Sequence, residues 1–132
     1  MIDKVDLEIL QFLKKNSRAS WKDIGDKIFL TGQAVRARVM RLKEKGVIKR
    51  FTIDYEQENT QIILFYMTTG SFEEVESIFK DNLYTLDVYR TTGDSCYILK
   101  SDFPTVNSLE VFLHSLHPYG HYKVNNVLKN IK

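Results

Sequence analysis

The chain's 132 residues, 43% hydrophobic with a single cysteine, suffice for one domain or two small ones and exclude an intrachain disulfide. Its longest apolar run, Ile62–Met67, is far below the roughly 18 residues that span a bilayer, and Asp3, Lys4 and Asp6 interrupt any export signal, so a soluble protein of the reducing cytoplasm is expected. Residues 1–50 carry 13 basic and 6 acidic side chains, net +7, while residues 51–132 carry 6 and 11, net −5; a phosphate backbone attracts the first segment and repels the second.

Taken in order, Leu7, Ile9, Leu10 and Leu13 recur at helical spacing and predict one buried stripe, with Asp3 as N-cap and Asp6 adding negative charge in the first turn. Asn16–Ala19 breaks that pattern. A second, short helix follows, with Ser20 as N-cap, Asp23 in a capping-box position, and Ile24 and Ile28 facing inward. Thr31 caps a third helix through TGQAVRARVMRLKEKG, with Val35, Val39 and Leu42 inward and Gly46 ending it in a left-handed conformation. Val47–Ile53 alternates like a strand.

Two helices joined by a very short connection, the second hydroxyl-capped and Arg-lined, predict a helix-turn-helix. Such a helix fits the major groove, and its first two turns reach base edges. Gln33 and Arg36 occupy those turns, and either can offer paired hydrogen bonds to a purine. Thr31 and the amides behind it suit a phosphate oxygen. Lys22, Arg38, Arg41, Lys49 and Arg50 are expected to clamp the backbone, and Ser20 joins the DNA-facing set.

Residues 2–53 resemble the N-terminal domain of the leucine-responsive/asparagine-regulator (Lrp/AsnC) family of transcription regulators. Ile2-Asp3, Asp6, Ile9-Leu10, Leu13, Asn16 and Arg18 fit that family's opening pattern. Thr31, Val35, Arg38-Val39, Leu42 and Gly46-Val47-Ile48 fit its recognition helix. Two positions depart from it: Gly25 stands where the family usually has Ala, and Phe29 where the turn usually has Gly. The resemblance implies a winged helix-turn-helix over residues 1–54.

Tyr55–Gln61 is polar and aperiodic, so a linker is expected over 55–60. Residues 61–132 then read strand, helix, strand, strand, helix, strand. Phe72, Val75, Ile78 and Phe79 face inward from the first helix. The second starts near Pro104, with Val106, Leu109, Phe112, Leu113 and Leu116 inward. The order βαββαβ predicts a ferredoxin-like sandwich, making the whole chain α+β. This half also resembles the same family's effector-binding domain. Ile62–Met67 and Tyr97–Leu99 are apolar on both strand faces, yet two helices cover only one, so a sheet-to-sheet homodimer is expected. The resemblance adds further assembly, commonly to octamers.

The resemblance also implies a small effector, often an amino acid, near the loop Thr92-Gly93-Asp94-Ser95-Cys96, with Asn125 in the neighbourhood. Cys96 replaces the family's usual acidic residue, so an obvious partner for an α-ammonium group is missing. Whether Asp94 takes that part, or the pocket takes another ligand or none, stays open. His114, His117 and His121 are read as helix-end and surface residues rather than a metal site, and no cofactor is expected. No phosphate loop, nucleophile motif or carboxylate pair points to an enzyme. The alternative weighed beside the regulator is a tetrapyrrole (haem-pathway) decarboxylase of the same architecture, which would not need outward arginines on its third helix.

Overall fold

The computed structural model describes residues 1–132, which divide into two compact units, Met1–Asp54 and Tyr55–Lys132. In the first unit, α1 (Lys4–Lys15), α2 (Trp21–Ile28) and α3 (Gly32–Glu44) enclose Ile9, Leu13, Ile24, Val35 and Val39. Each helix starts on the cap that its sequence signals. The Asp6 amide donates to Asp3 Oδ1 at 2.8 Å and the Asp3 amide to Asp6 Oδ2 at 3.2 Å. The Asp23 amide donates to Ser20 Oγ at 3.0 Å, and the Ala34 amide to Thr31 Oγ1 at 3.1 Å. Each such cap is worth about 1 kcal/mol.

The inner stripe of α1 differs from the expected one. Asp6, Ile9 and Leu13 are buried, whereas Leu7 is turned to solvent. A carboxylate can hold that inner position because a guanidinium reaches it, as described below.

Between α2 and α3 the chain is pressed tight. A Cβ on Gly25 would lie 2.3 Å from the Leu30 carbonyl oxygen, so only hydrogen fits there. Phe29 ends α2 in the left-handed region, at φ 61° and ψ 42°.

The strand predicted over Val47–Ile53 does not form. The Val47 and Ile48 amides both donate to the Leu42 carbonyl, and residues 49–53 have no ladder partner. Alternation marks a strand that needs a neighbour, and this unit contains no second strand to pair with it. Instead Ile48 packs on the helical core.

In the second unit the elements are β1 (Gln61–Met67), α4 (Phe72–Asp81), β2 (Thr85–Arg90), β3 (Tyr97–Ser101), α5 (Val106–Leu116) and β4 (Gly120–Asn126). A single 3-10 turn, His117–Tyr119, joins the last two. The sheet order is β2-β3-β1-β4, with every neighbouring pair antiparallel. This is the ferredoxin-like βαββαβ arrangement expected from the sequence. Both helices cover one face, where Ile63, Phe65, Tyr97 and Leu99 meet Val75, Phe79, Phe112, Leu113 and Leu116.

Three details depart from expectation. Thr105, not Pro104, caps α5, and Val106 is 73% exposed rather than inward. The closing strand stops at Asn126, leaving 127–132 without regular structure. Phe72, expected inward on α4, is 49% exposed, whereas Gln61 opens β1 where the strand was expected and is buried.

The other sheet face carries Ile62, Leu64 and Tyr66 of β1 with Ile98 of β3, all half-buried. Neither helix of this unit lies over them. His121 stacks on Tyr66 with ring centroids 4.9 Å apart, and Lys123 Nζ stands 5.7 Å from the same ring. The face is therefore apolar at its centre and polar along β4.

Candidate nucleic-acid interface

Burial of Val35, Val39 and Leu42 fixes the rotation of α3. With 100° per residue, that rotation sends Gln33, Arg36, Ala37, Met40 and Arg41 to one outward face. All five are exposed, and neither arginine enters a salt bridge. A helix with fixed inner packing and unpaired outward donors can offer bidentate hydrogen bonds without first breaking its own.

Lys22 is exposed in the first turn of α2. Ser20 and Thr31 use their hydroxyl oxygens as cap acceptors, which leaves each O–H free to donate to a phosphate oxygen. Lys49 and Arg50 are exposed and unpaired, on the irregular segment after α3 rather than on the expected strand.

Arg38 has a different place. Its Nη1 donates to Asp3 Oδ2 at 2.7 Å and to Asp6 Oδ1 at 3.1 Å, pinning the middle of α3 to the capping box of α1. The Asp6 side chain is only 10% exposed, so this guanidinium neutralises a charge held within the unit. Arg38, expected to clamp the DNA backbone, spends its Nη1 on the two aspartates and so serves as a structural tie between α1 and α3.

That tie has a pH signature. The Arg38 hydrogen bond, then the Asp6 amide, hold the Asp3 carboxyl below the ordinary 3.8. A depressed acid adds stability above its unfolded value and loses it as pH falls through the folded one. Arg38→Ala is expected to cost about 1 kcal/mol at neutral pH. It should also flatten the decline of stability below pH 3.8, the ordinary aspartate value. Urea titrations at neutral and acid pH measure both effects. Non-specific DNA affinity should change little, whereas a phosphate clamp would reduce the salt slope by about one.

Three exposed residues here were not among the expected DNA-facing set. Ala37 and Met40 share the outward face and could have been found by counting on from Gln33. Phe29 is 95% exposed, and its exposure carries no periodic signal.

The expected effector residues are only partly brought together. Gly93 turns the β2–β3 loop at φ 98°, and Asp94 is exposed and unpaired. Thr91 Oγ1 donates to the Ser95 carbonyl at 2.8 Å. The Cys96 amide donates to the Phe65 carbonyl at 3.0 Å, and its half-buried side chain packs on the sheet core. Asn125 lies opposite Ile62, while the loop adjoins Phe65. Strand rise and spacing put roughly 15 Å between Asn125 and Cys96, so they share no pocket within one chain.

The histidines also separate. His121 stacks on Tyr66 at the open face, whereas His114 and His117 wall a groove of about 480 Å³ with Asn107, Glu110 and Tyr122.

Comparison with known proteins follows the same division. The winged helix-turn-helix DNA-binding family model matches residues 2–49, and the Lrp/AsnC ligand binding domain model matches residues 60–132. The Bacillus subtilis HTH-type transcriptional regulator LrpB is 34% identical over 99% of this chain and 91% of its own length. The solved structure of B. subtilis LrpC superposes with a TM-score of 0.86 at 27% identity, covering 100% of this chain and 98% of that one. A Neisseria meningitidis transcriptional regulator, NMB0573, solved as a complex with L-Met, shares the fold. Its TM-score is 0.85 at 20% identity, over 100% of this chain and 93% of that one. These relatives are named as regulators, and the decarboxylase alternative gains no support from them.

Proposed function

Because this chain belongs to the Lrp/AsnC family of DNA-binding transcription regulators, we propose that it reads DNA with the outward face of α3 and acts by binding rather than catalysis. Gln33 and Arg36 take the base edges, while Thr31, Ser20, Lys22, Arg41, Lys49 and Arg50 hold the backbone. The observation that carries this reading is the unpaired, exposed state of Gln33, Arg36 and Arg41 on a helix whose inner face is fully packed. Residues 61–132 serve assembly and sensing, and the cytoplasm is the working compartment.

Two copies join through the open sheet face, where Ile62, Leu64, Tyr66 and Ile98 lack a cover from their own helices. Such a dimer would carry paired heads suited to half-sites about one helical turn apart. Further assembly to octamers is what the family resemblance suggests. A small effector binds beside Gly93, Asp94 and Ser95. Amino acids are the class to test first, since the Neisseria relative was solved with L-methionine. The effector works by favouring one arrangement of heads, because a ligand shifts an equilibrium only through differential affinity.

The test is retention of genomic fragments in gels over a salt series. Native protein is expected to retain some fragments selectively. Lys49→Ala combined with Arg50→Ala should weaken all fragments alike and lower the salt slope by about two. Failure of folded protein to retain any fragment at low salt refutes the reading.

A further inference from the structure

A bulky side chain in the left-handed region is a rare and costly arrangement. Phe29 holds it as the only non-glycine residue with positive φ in the chain, and the cost is not returned by packing. Its neighbours Ile28 and Leu30 both pack on the core of the helical unit, whereas Phe29 is 95% exposed and stacks on no other ring. The turn needs a left-handed residue there, because the Phe29 and Leu30 amides both converge on the Gly25 carbonyl. Glycine or asparagine would supply that conformation with less strain. Nothing in the fold of this unit therefore calls for a phenyl ring at position 29.

Its location suggests what does. Phe29 stands two residues before Thr31, the N-cap of α3, so their Cα atoms lie within about 7.6 Å. The first turn of α3 holds Gln33 and Arg36, and a helix seated with that turn in the major groove lies in a channel about 12 Å wide. An exposed ring so close to the cap is within reach of the groove wall. Lys22, Arg36 and Arg41 on the two helices that this turn joins are exposed and unpaired, a basic setting that suits DNA rather than an apolar protein partner.

We propose that Phe29 is a DNA-contact residue that packs its ring on apolar carbons at the groove edge, a thymine C5-methyl or a deoxyribose. This rests on the α3 reading above and adds a hydrophobic contact to its hydrogen-bonding residues. Thymine methyls are the only apolar groups that bases present in the major groove, so such a contact adds sequence preference that arginine does not give.

The experiment uses the full chain and a duplex selected by the native protein. Phe29→Gly and Phe29→Asn are expected to melt at higher temperature yet bind that duplex at least about fourfold more weakly, the equivalent of one buried methylene. Phe29→Leu keeps apolar bulk and should keep most of the affinity without the thermal gain. Replacing thymine by uracil in the duplex separates the two carbon sources. A loss seen with native protein and absent in Phe29→Gly assigns the methyl, and no loss assigns the sugar. The proposal is overturned if Phe29→Gly binds as tightly as native protein, including the case where only its sedimentation changes. If folded native protein selects no duplex at all, this inference and the α3 reading fall together.

Discussion

A protein carrying both Gln33→Ala and Arg36→Ala is expected to keep its fold and lose its choice of site. Both side chains are exposed and touch no core residue, so the helical unit should melt within about 0.5 kcal/mol of the native one. Each bidentate base contact is worth roughly 1–3 kcal/mol of discrimination, so the pair together should weaken specific binding by roughly thirtyfold or more. Lys22, Arg41, Lys49 and Arg50 remain, and non-specific binding should persist with a nearly unchanged salt slope. Competition gels with specific and scrambled duplexes measure the ratio directly. Equal loss on both duplexes would make these residues phosphate contacts, and no loss on either would remove α3 from the interface.

The helices and strands were legible because their signals are local. Cap residues and apolar spacing place α1, α2 and α3 within a residue or two, and alternating runs place the βαββαβ order. What escaped depended on partners distant in the chain. Arg38 reads as one more cation on a basic helix, yet its carboxylates lie 35 and 32 residues away. Asp6 reads only as a negative charge in the first turn of α1, and its burial follows from the same distant arginine. The Val47–Ile53 alternation is real, but a strand requires a neighbour that this unit does not provide. Asn125 and Cys96 looked like members of one pocket until strand pairing placed them at opposite ends of β1. The exposure of Gln33, Arg36 and Arg41 was legible because it follows directly from which three positions of α3 are buried.

Gln61→Leu gives the largest expected loss of stability, and it arises from the polar residue that opens β1. The Gln61 amide nitrogen donates to the Phe103 carbonyl at 3.2 Å, while its oxygen accepts from Ser101 Oγ and the Phe103 amide at 3.0 Å each. Gln61, Ser101 and Phe103 are 6%, 0% and 2% exposed, so water cannot replace these bonds without opening the core. Leucine fills nearly the same volume but strands a carbonyl, an amide and a hydroxyl. Stranded buried groups cost about 1–3 kcal/mol each before relaxation, and a net loss of about 3 kcal/mol is expected. For a unit of this size that lowers the melting temperature by roughly 10 °C or more.

Two intrinsic probes assign the loss to a unit. The only tryptophan, Trp21, belongs to the helical unit, and all seven tyrosines lie from Tyr55 onward. Tyrosine near-ultraviolet dichroism should therefore report the early transition, with Trp21 fluorescence moving less. A variant melting within a few degrees of native protein would show that Phe103 and Ser101 find other partners. If the early transition appears as expected, DNA retention should fail at the same temperature. On the dimer proposed above, a helical head would hold its own fold and still lose the operator, because the sheet face that would pair it with a second head has gone.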